Sequence, residues 1–273
     1  MERYQIILAY DGTDFIGSQR QASTALPYLS AKAGNRAAKS RTVQGELEKA
    51  LLKLGWDERT VYLAGRTDSG THASGQVAAF DLDWQHSPDD VRNALNANLP
   101  ADMAVREVKI AAAKFRPRFD ATSRCYRYRL FCQVVRDPLR ERYAWRVWPP
   151  VADLTPLAKI WPGSHDFAAF GSPPKPGGST VRTVLFAEWQ NHGDEWTFEI
   201  QADAFLYRMV RRLVYVQVAA GQERIQAETL VRVLQGKPGT SSRGVNRGIQ
   251  DVPAGLALAS GLTLVEVRYD SLV

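Results

Sequence analysis

The strands and helices predicted along this chain follow one order twice, and this repetition constrains the fold more than any other feature. The first half runs strand, helix, strand, strand, helix, strand, from YQIILAY at residues 4–10 to MAVREVKIA at 103–111. The second half repeats the order, from CYRYRLF at 125–131 to LTLVEVRY at 262–269. The sequence therefore predicts an α+β protein of two ferredoxin-like halves with mostly antiparallel sheets, joined around a central basic cleft.

The boundary between the halves is expected near residues 111–118, which gives an N-terminal domain 1–113 and a C-terminal domain 114–273. Two stretches interrupt the pattern. Residues 171–179 are rich in proline and glycine and predict a surface loop. A surface loop is also predicted for residues 22–41. This loop is either a tolerated insertion or a basic arm that touches phosphate. This second stretch contains no acid and four bases, Lys32, Arg36, Lys39 and Arg41.

Composition disfavours several classes of protein. The chain of 273 residues carries 35 Lys and Arg against 29 Asp and Glu, a net charge of +6 that is compatible with nucleic-acid binding. Its two cysteines and four scattered histidines form neither a disulfide framework nor a metal-binding pattern. No apolar run approaches the roughly 18 residues of a membrane span, and the N-terminus resembles a first strand more than a signal peptide. We therefore expect a cytoplasmic protein without membrane association.

The stretch AGRTDSGTHASGQ at residues 64–76 places one carboxylate among glycines and small polar residues. Arg66 and Asp68 are two residues apart, so in extended chain their side chains point the same way. A guanidinium near a carboxylate keeps it ionised, which suits a nucleophile or general base. An isolated pattern this short more often marks an Arg–Asp pair that only fixes a loop. Three glycines would let the backbone approach a ligand or take turns forbidden to other residues, namely Gly65, Gly70 and Gly75.

Two other known motifs are disfavoured. DSGT is also the active-site tetrapeptide of aspartic proteases, which need two such aspartates facing each other, but the chain has no second DSG or DTG. The stretch QGKPGTSS contains Gly-Lys, but Val231 stands at the place of the first P-loop glycine and Pro238 follows the lysine.

Basic and aromatic residues alternate within CYRYRLF. Tyr126 and Tyr128 share one face of the predicted strand, and Arg127 and Arg129 take the other. Aromatic rings on such a strand can stack on nucleic-acid bases, which contributes about 1–3 kcal/mol per base, while arginines hold phosphates. The alternative is a half-buried strand with tyrosines in the core. We favour the core for Tyr128, and this segment alone leaves Tyr126 open.

A second group of arginines lies in FLYRMVRRLV, which predicts an amphipathic helix with an apolar stripe. On that helix Arg208 would lie one turn from Arg211 and Arg212. The three arginines form either a solvated face or the lining of an anionic cleft.

Segments along nearly the whole chain occur in the order seen in one known family: YDGTDFIGSQRQ, RTVQGELEKAL, AGRTDSGTHASGQVAAF, ALNANLP, FDATSRCYRYRLF, HDFAAF, VRTV, ADAFLYRMVRRLV and GLTLVEVRY. By these segments the chain resembles the tRNA pseudouridine synthase A family. The resemblance implies an isomerase that converts uridine to pseudouridine at positions 38–40 of the tRNA anticodon stem-loop. It also implies a homodimer that needs no cofactor and no metal.

The resemblance also assigns roles residue by residue. It matches Asp68 to the catalytic aspartate, Arg66 to the motif arginine linked to flipping out the target nucleotide, and Arg211 to an arginine that pairs with the aspartate. It matches Tyr126 to the tyrosine that packs on the target base. The other candidate substrate contacts are Leu262 or Leu264, which resemble an apolar wall of the uracil pocket, and Arg208.

The chain departs from the family in three places. Ser18 stands where tryptophan is usual, Cys125 stands where a basic residue is common, and the insertion at residues 22–41 replaces a shorter link. The alternative function is a catalytically inactive tRNA-binding or chaperone-like module of the same fold. The intact set of Arg66, Asp68 and Tyr126 opposes it, because binding alone requires no nucleophile. The sequence leaves open whether Asp68 attacks C6 of uracil or C1′ of ribose.

Overall fold

The computed structural model describes residues 1–20, 41–58, 60–236 and 252–270. Within these ranges the chain forms ten strands and five α-helices in two compact units, Met1–Thr122 with Thr263–Val273, and Ser123–Leu262. The predicted α+β class with mostly antiparallel pairing is confirmed. The elements are β1 (Glu2–Tyr10), α1 (Val43–Leu52), β2 (Tyr62–Leu63), β3 (His72–Leu82), α2 (Pro88–Asn98), β4 (Met103–Ile110), β5 (Ala121–Cys132), β6 (Trp145–Val147), α3 (Thr155–Ala158), β7 (Gly163–Asp166), β8 (Val181–His192), β9 (Glu195–Ala202), α4 (Met209–Gly221), α5 (Ala227–Gln235) and β10 (Leu262–Tyr269).

The first unit holds the predicted order from β1 to β4 and adds most of the final strand. β1 lies between β3 and β4 and is antiparallel to both. β10 pairs in parallel with β3, with Thr263 opposite His72. The sequence had placed the boundary at 113/114 and the last strand with the C-terminal half. In the structure the first unit runs to Thr122 and includes residue 263 onward, because β10 is hydrogen-bonded to β3.

Both long helices of the first unit begin at a residue whose side chain caps the helix. Ser87 caps α2 by accepting the N–H of Asp90 at 3.2 Å, and the Asp90 carboxylate accepts the N–H of Ser87 at 3.1 Å, which completes a capping box. Thr42 caps α1 by accepting the N–H of Gly45 at 3.1 Å. Each helix buries one apolar stripe, made of Val43, Leu47, Ala50 and Leu51 in α1 and of Val91 and Leu95 in α2.

The second unit contains the strand order β5-β9-β8-β7, all antiparallel, with β6 parallel to β5. The residues NHGD at 191–194 form the hairpin that joins β8 to β9, because the two strands pair up to His192 opposite Glu195, and Gly193 has a φ of 79°. The sequence did not predict α5, β6 or β7. The predicted loop at residues 171–179 is mostly exposed.

The helix predicted from FLYRMVRRLV begins later than expected. α4 starts at Met209, and Arg208 precedes it as an N-cap with a left-handed φ of 63°. The Arg208 carbonyl still accepts the N–H of Arg212 at 3.0 Å, which closes the first turn of the helix. A positive φ at a non-glycine residue is costly and persists only where the surrounding structure enforces it.

The basic insertion at residues 22–41 lies outside the described residues, apart from Arg41. The Arg41 guanidinium donates two hydrogen bonds to the Asp102 carboxylate, at 3.1 and 3.0 Å, and lies 4.6 Å from the centre of the Phe15 ring. The hydrogen bonds that Arg41 donates to the Asp102 carboxylate raise the pKa of Arg41. Arg41 is thus part of the packing of the first unit. For this arginine, a role in holding the fold is favoured over a contact with phosphate. None of the helices in the described ranges is both long and apolar enough to span a membrane.

A buried polar pair joins β8 to α4 in the second unit. The Trp189 indole N–H donates to the side-chain oxygen of Gln217 at 2.8 Å, and the Gln217 amide N–H donates to the Leu213 carbonyl at 3.1 Å. Both side chains are almost fully buried. Because water cannot replace either partner, each group depends on the other for its hydrogen bond.

Replacing Gln217 with leucine is expected to lower the free energy of unfolding by about 1–3 kcal/mol, because the Trp189 N–H loses its acceptor. Trp189→Phe should also destabilise, but the double variant should lose less than the sum of the two by on the order of 1 kcal/mol. Urea unfolding of the four proteins measures this coupling. Strictly additive losses would contradict it.

Candidate active site

The segment that carries Asp68 leaves β2 and runs along β3 before it turns. The Ala64 N–H donates to the Val77 carbonyl at 2.8 Å. The fully buried Gln76 side chain then takes the place of a strand partner for Gly65, accepting its N–H at 3.3 Å and donating to its carbonyl at 2.9 Å. Gln76 therefore fixes the backbone three residues before Asp68.

Asp68 begins a tight turn, which we call the Asp68 turn (residues 68–71). The Asp68 carbonyl accepts the N–H of Thr71 at 3.1 Å, and Gly70 has a φ of 77°, as the third residue of a type II turn requires. The carbonyl of Phe15 accepts the Gly70 N–H at 3.3 Å and the Ser69 hydroxyl at 3.1 Å. The turn is anchored to the chain that follows β1, with the Asp68 side chain half-buried.

Tyr10 supports the same segment from β1. Its hydroxyl lies 2.8 Å from Thr67 Oγ1 and accepts a longer hydrogen bond from Gln76 Nε2 at 3.5 Å. Burial raises the pKa of Tyr10 to about 12, so the group remains a neutral hydroxyl at physiological pH. Tyr10 acts here as a hydrogen-bonding support and carries no charge.

The three glycines of the motif differ in their backbone conformation and in their surroundings. Gly70 provides the left-handed turn. At Gly75 an added Cβ would lie 2.2 Å from the Val265 carbonyl oxygen of β10, so the two backbones approach too closely for any side chain. At Gly65 an added Cβ would meet nothing within 4 Å. The predicted special turn is confirmed at Gly70. Gly75 approaches another strand and not a ligand, so the predicted close approach to a ligand stays a prediction.

The remaining candidates of the first unit are Arg66 and Leu264. Arg66 is exposed, on the same segment as Asp68. Leu264 lies on β10 opposite Ala73 and is fully buried. Arg66 and Asp68 therefore lie on one loop. Leu264 lies in the apolar core, on the strand that pairs with β3.

The two tyrosines of β5 in the second unit differ in their surroundings. Tyr128 is fully buried, and its hydroxyl donates to the Leu258 carbonyl at 2.8 Å, so its predicted place in the core is confirmed. Tyr126 lies opposite Ile200 of β9, and its ring meets Phe205 edge-on, with centres 5.1 Å apart. At 9% exposure, Tyr126 presents only a small part of its ring to solvent.

The arginines of β5 pair with carboxylates of β9. Arg127 Nε donates to Glu199 at 2.6 Å, and Arg129 Nε donates to Glu195 at 2.6 Å. The hydrogen bond from Arg129 holds the pKa of Glu195 below its usual range. These cross-strand pairs favour a structural interpretation of the interleaved arginines over phosphate binding.

The arginines around α4 hold the chain that leads to β10. Arg211 Nε donates to the Ala257 carbonyl at 2.8 Å, and Arg212 donates to the Pro253 and Gly255 carbonyls. Burial lowers the pKa of Arg212. Arg208 is exposed and its guanidinium lies 4.7 Å from the centre of the Tyr207 ring. Leu262, at the start of β10, is 6% exposed.

A family model described as tRNA pseudouridine synthase matches residues 6–120 and 157–270. The chain belongs to this tRNA pseudouridine synthase family. The matched ranges include the Asp68 turn, α4 and β10, while Tyr126 lies between them.

Relatives named tRNA pseudouridine synthase A match the chain almost from end to end. The protein from Chloroflexus aurantiacus is 37% identical over 98% of this chain and 89% of its own length. Those from Limosilactobacillus fermentum and Fervidobacterium nodosum are 35% and 34% identical, over 99% and 98% of this chain and 97% and 100% of their own. A solved Cbf5-Nop10-Gar1 complex aligns at 11% identity with a TM-score of 0.30, which is too low to bear on the fold.

The sequence did not single out several residues that support the candidate residues within each unit. Tyr10 and Gln76 support the Asp68 segment in the first unit, and Phe205 packs on Tyr126 in the second. All three stand inside segments that carried the family resemblance, so the signal was present without an assigned role. In the part of the chain that the structure describes, no three His, Cys, Asp or Glu side chains gather as metal ligands.

Proposed function

We propose that this protein isomerises uridine to pseudouridine at positions 38–40 of the tRNA anticodon stem-loop, with Asp68 as the nucleophile. The observation that carries the proposal is the nearly full-length match to tRNA pseudouridine synthase A proteins. The Asp68 turn supports it, because the Phe15 and Asp68 carbonyls accept the N–H groups of Gly70 and Thr71 and hold its backbone in place. We further propose that it acts in the cytoplasm as a homodimer.

The reaction needs no oxidant, reductant or energy source. The N1–C1′ bond breaks, the uracil turns, and C5 bonds to C1′, while C5 releases a proton and N1 gains one. The Asp68 carboxylate attacks either C6 of uracil or C1′ of ribose to form a covalent intermediate that later breaks down. Because the target base is stacked in a stem-loop, it must first leave the stack.

The other candidate residues take supporting roles in this proposal. Arg66 is exposed on the Asp68 loop, where a long cationic side chain can displace the target base. Arg211 takes the role of the arginine that pairs with the aspartate. Tyr126 packs on the target base, Leu262 and Leu264 contribute apolar wall, and Arg208 binds the RNA backbone.

The test is incubation of the purified protein with an unmodified tRNA transcript that carries uridines at positions 38, 39 and 40, followed by mapping of pseudouridine. A matched transcript with cytidines at these positions is the control. We expect pseudouridine at these sites in the first transcript and none in the second. Absence of product in several tRNAs that retain tight binding would favour the inactive binding module, and product elsewhere would refute the assigned positions.

A further inference from the structure

Ser18 lies against the residue that precedes Asp68. Its side chain is fully buried. Ser18 Oγ accepts the N–H of Thr67 at 2.8 Å, and the Ser18 N–H donates to the Thr67 carbonyl at 3.1 Å. These two hydrogen bonds join the segments across 49 positions of sequence and enclose Thr67 from both sides.

The opposite side of Ser18 is attached to the start of α1. The Ser18 carbonyl accepts the N–H of Gln44 at 2.9 Å, and the Gly17 carbonyl accepts the N–H of Val43 at 3.4 Å. The first N–H groups of a helix have no partner within it, so these bonds satisfy donors that would otherwise be unpaired. Ser18 is thereby fixed to a helix, and a fixed group can hold another segment in place.

Gly17 permits this close packing. It has a φ of 122°, and an added Cβ would lie 3.1 Å from the Thr67 carbonyl oxygen. Any side chain at this position would both strain the backbone and press on the Thr67 peptide. The approach of the two segments is therefore built into the backbone.

The two bonds control both peptide planes around Thr67. The Thr67 carbonyl shares a planar peptide group with the nitrogen and Cα of Asp68, so the Ser18 N–H orients the plane that carries Asp68. The Thr67 N–H belongs to the preceding plane, which the Ser18 hydroxyl orients. With both planes fixed, the two dihedral angles of Thr67 are set, and so is the position of the Asp68 Cα.

We propose that Ser18 is a positioning residue for the reaction, whose hydroxyl acts through the Thr67 peptide to hold the Asp68 carboxylate at the place from which it attacks. This inference rests on the proposed function. Without the hydroxyl, the buried Thr67 N–H has lost its acceptor, and the chain relaxes to find another. Displacement of the nucleophile slows the chemical step and leaves the surfaces that bind tRNA unchanged.

The test compares Ser18→Ala with Ser18→Thr, which retains the hydroxyl, in single-turnover reactions at saturating tRNA transcript. We expect the rate constant of Ser18→Ala to fall roughly ten- to a hundredfold, as for a nucleophile displaced by up to about 1 Å. Its Kd for tRNA should stay within about twofold of wild type, because phosphate contacts dominate affinity. Ser18→Thr should recover most of the rate.

Asn96→Ala is the matched structural control. Ser18 and Asn96 each bond to both the N–H and the carbonyl of one distant residue. Asn96 does so with its side chain alone, to Val105, with both bonds at 2.8 Å, and it joins α2 to β4. We expect Asn96→Ala to lower the unfolding midpoint in urea while keeping the wild-type rate constant at a temperature where it is folded. If Ser18→Ala does not fold, Ser18→Cys replaces it, since sulfur keeps the volume and is a weak acceptor.

The outcomes separate the two proposals. A wild-type protein that makes no pseudouridine refutes the proposed function. An active wild type with an unchanged rate constant in Ser18→Ala overturns the positioning role. The role is also overturned if Asn96→Ala slows the reaction equally, if Ser18→Thr is as slow as Ser18→Ala, or if the loss appears only in Kd.

Discussion

Replacing Asp68 with asparagine is expected to reduce pseudouridine formation by on the order of a thousandfold or more, the scale of losing a covalent nucleophile. An amide has nearly the shape of a carboxylate but no negative charge with which to attack carbon. The Asp68 turn is held by hydrogen bonds from the Thr71 and Gly70 N–H groups and from the Ser69 hydroxyl, so its conformation should survive the change. Binding of tRNA should persist or tighten slightly, since one negative charge is removed.

The measurement is single-turnover conversion of the transcript, with tRNA affinity determined in parallel and folding checked by thermal unfolding. Asp83→Asn is the matched control, because its side chain is 72% exposed and lies just after β3, away from the Asp68 turn. Asp83→Asn should behave as the wild type. Equal activity in the two variants would remove Asp68 from the chemistry.

Replacing Gly12 with alanine is expected to impair both folding and activity. An added Cβ would lie 2.0 Å from the Thr71 carbonyl oxygen and 2.4 Å from its carbon, both backbone atoms that cannot turn aside as a side chain does. The Gly12 N–H also donates to His72 Nδ1 at 3.0 Å. Relief of the overlap must therefore move the Asp68 turn, in which the Thr71 N–H bonds to the Asp68 carbonyl.

We expect Gly12→Ala to lose about 1–3 kcal/mol in the free energy of unfolding, the usual cost of overpacking. The rate of pseudouridine formation should fall by about a hundredfold, because the nucleophile is displaced. Urea unfolding and single-turnover kinetics give the two values. Gly65→Ala is the control for stability alone, since its Cβ would meet nothing within 4 Å. Equal stability of the two variants would show that the chain accommodates a methyl group at Gly12.

Much of the fold was predictable because its signals are local. The period-two burial of β9, which alternates half-buried and buried residues from Glu195 to Ala202, follows from the sequence alone. The start of α2 was predictable from Ser87 and Pro88, since a cap and its helix are neighbours in sequence. The Asp68 turn was likewise marked by glycine at the position that needs a left-handed φ.

Other features depended on segments that are distant in sequence. Nothing in the residues around Arg41 indicates that its partner is Asp102, so the same arginine was equally consistent with a phosphate contact. The left-handed conformation of Arg208 shortened a helix that its apolar pattern alone would have extended. β10 was predicted as a strand with the right bounds, but its parallel pairing with β3 decided which unit it joins.

The sequence by itself determined most of the helices and strands, though not α5, β6 or β7, and which carboxylate stands in the special loop. Alternation, caps and turns are properties of adjacent residues. Only the tertiary structure decided what holds that carboxylate. Ser18 was visible in the sequence as a departure from the family pattern, and Tyr10 and Gln76 as members of motifs, but none had a role. Their partners are 49 to 57 positions away for Ser18 and Tyr10, and buried hydrogen bonds are satisfied by whichever group the packed chain brings within reach.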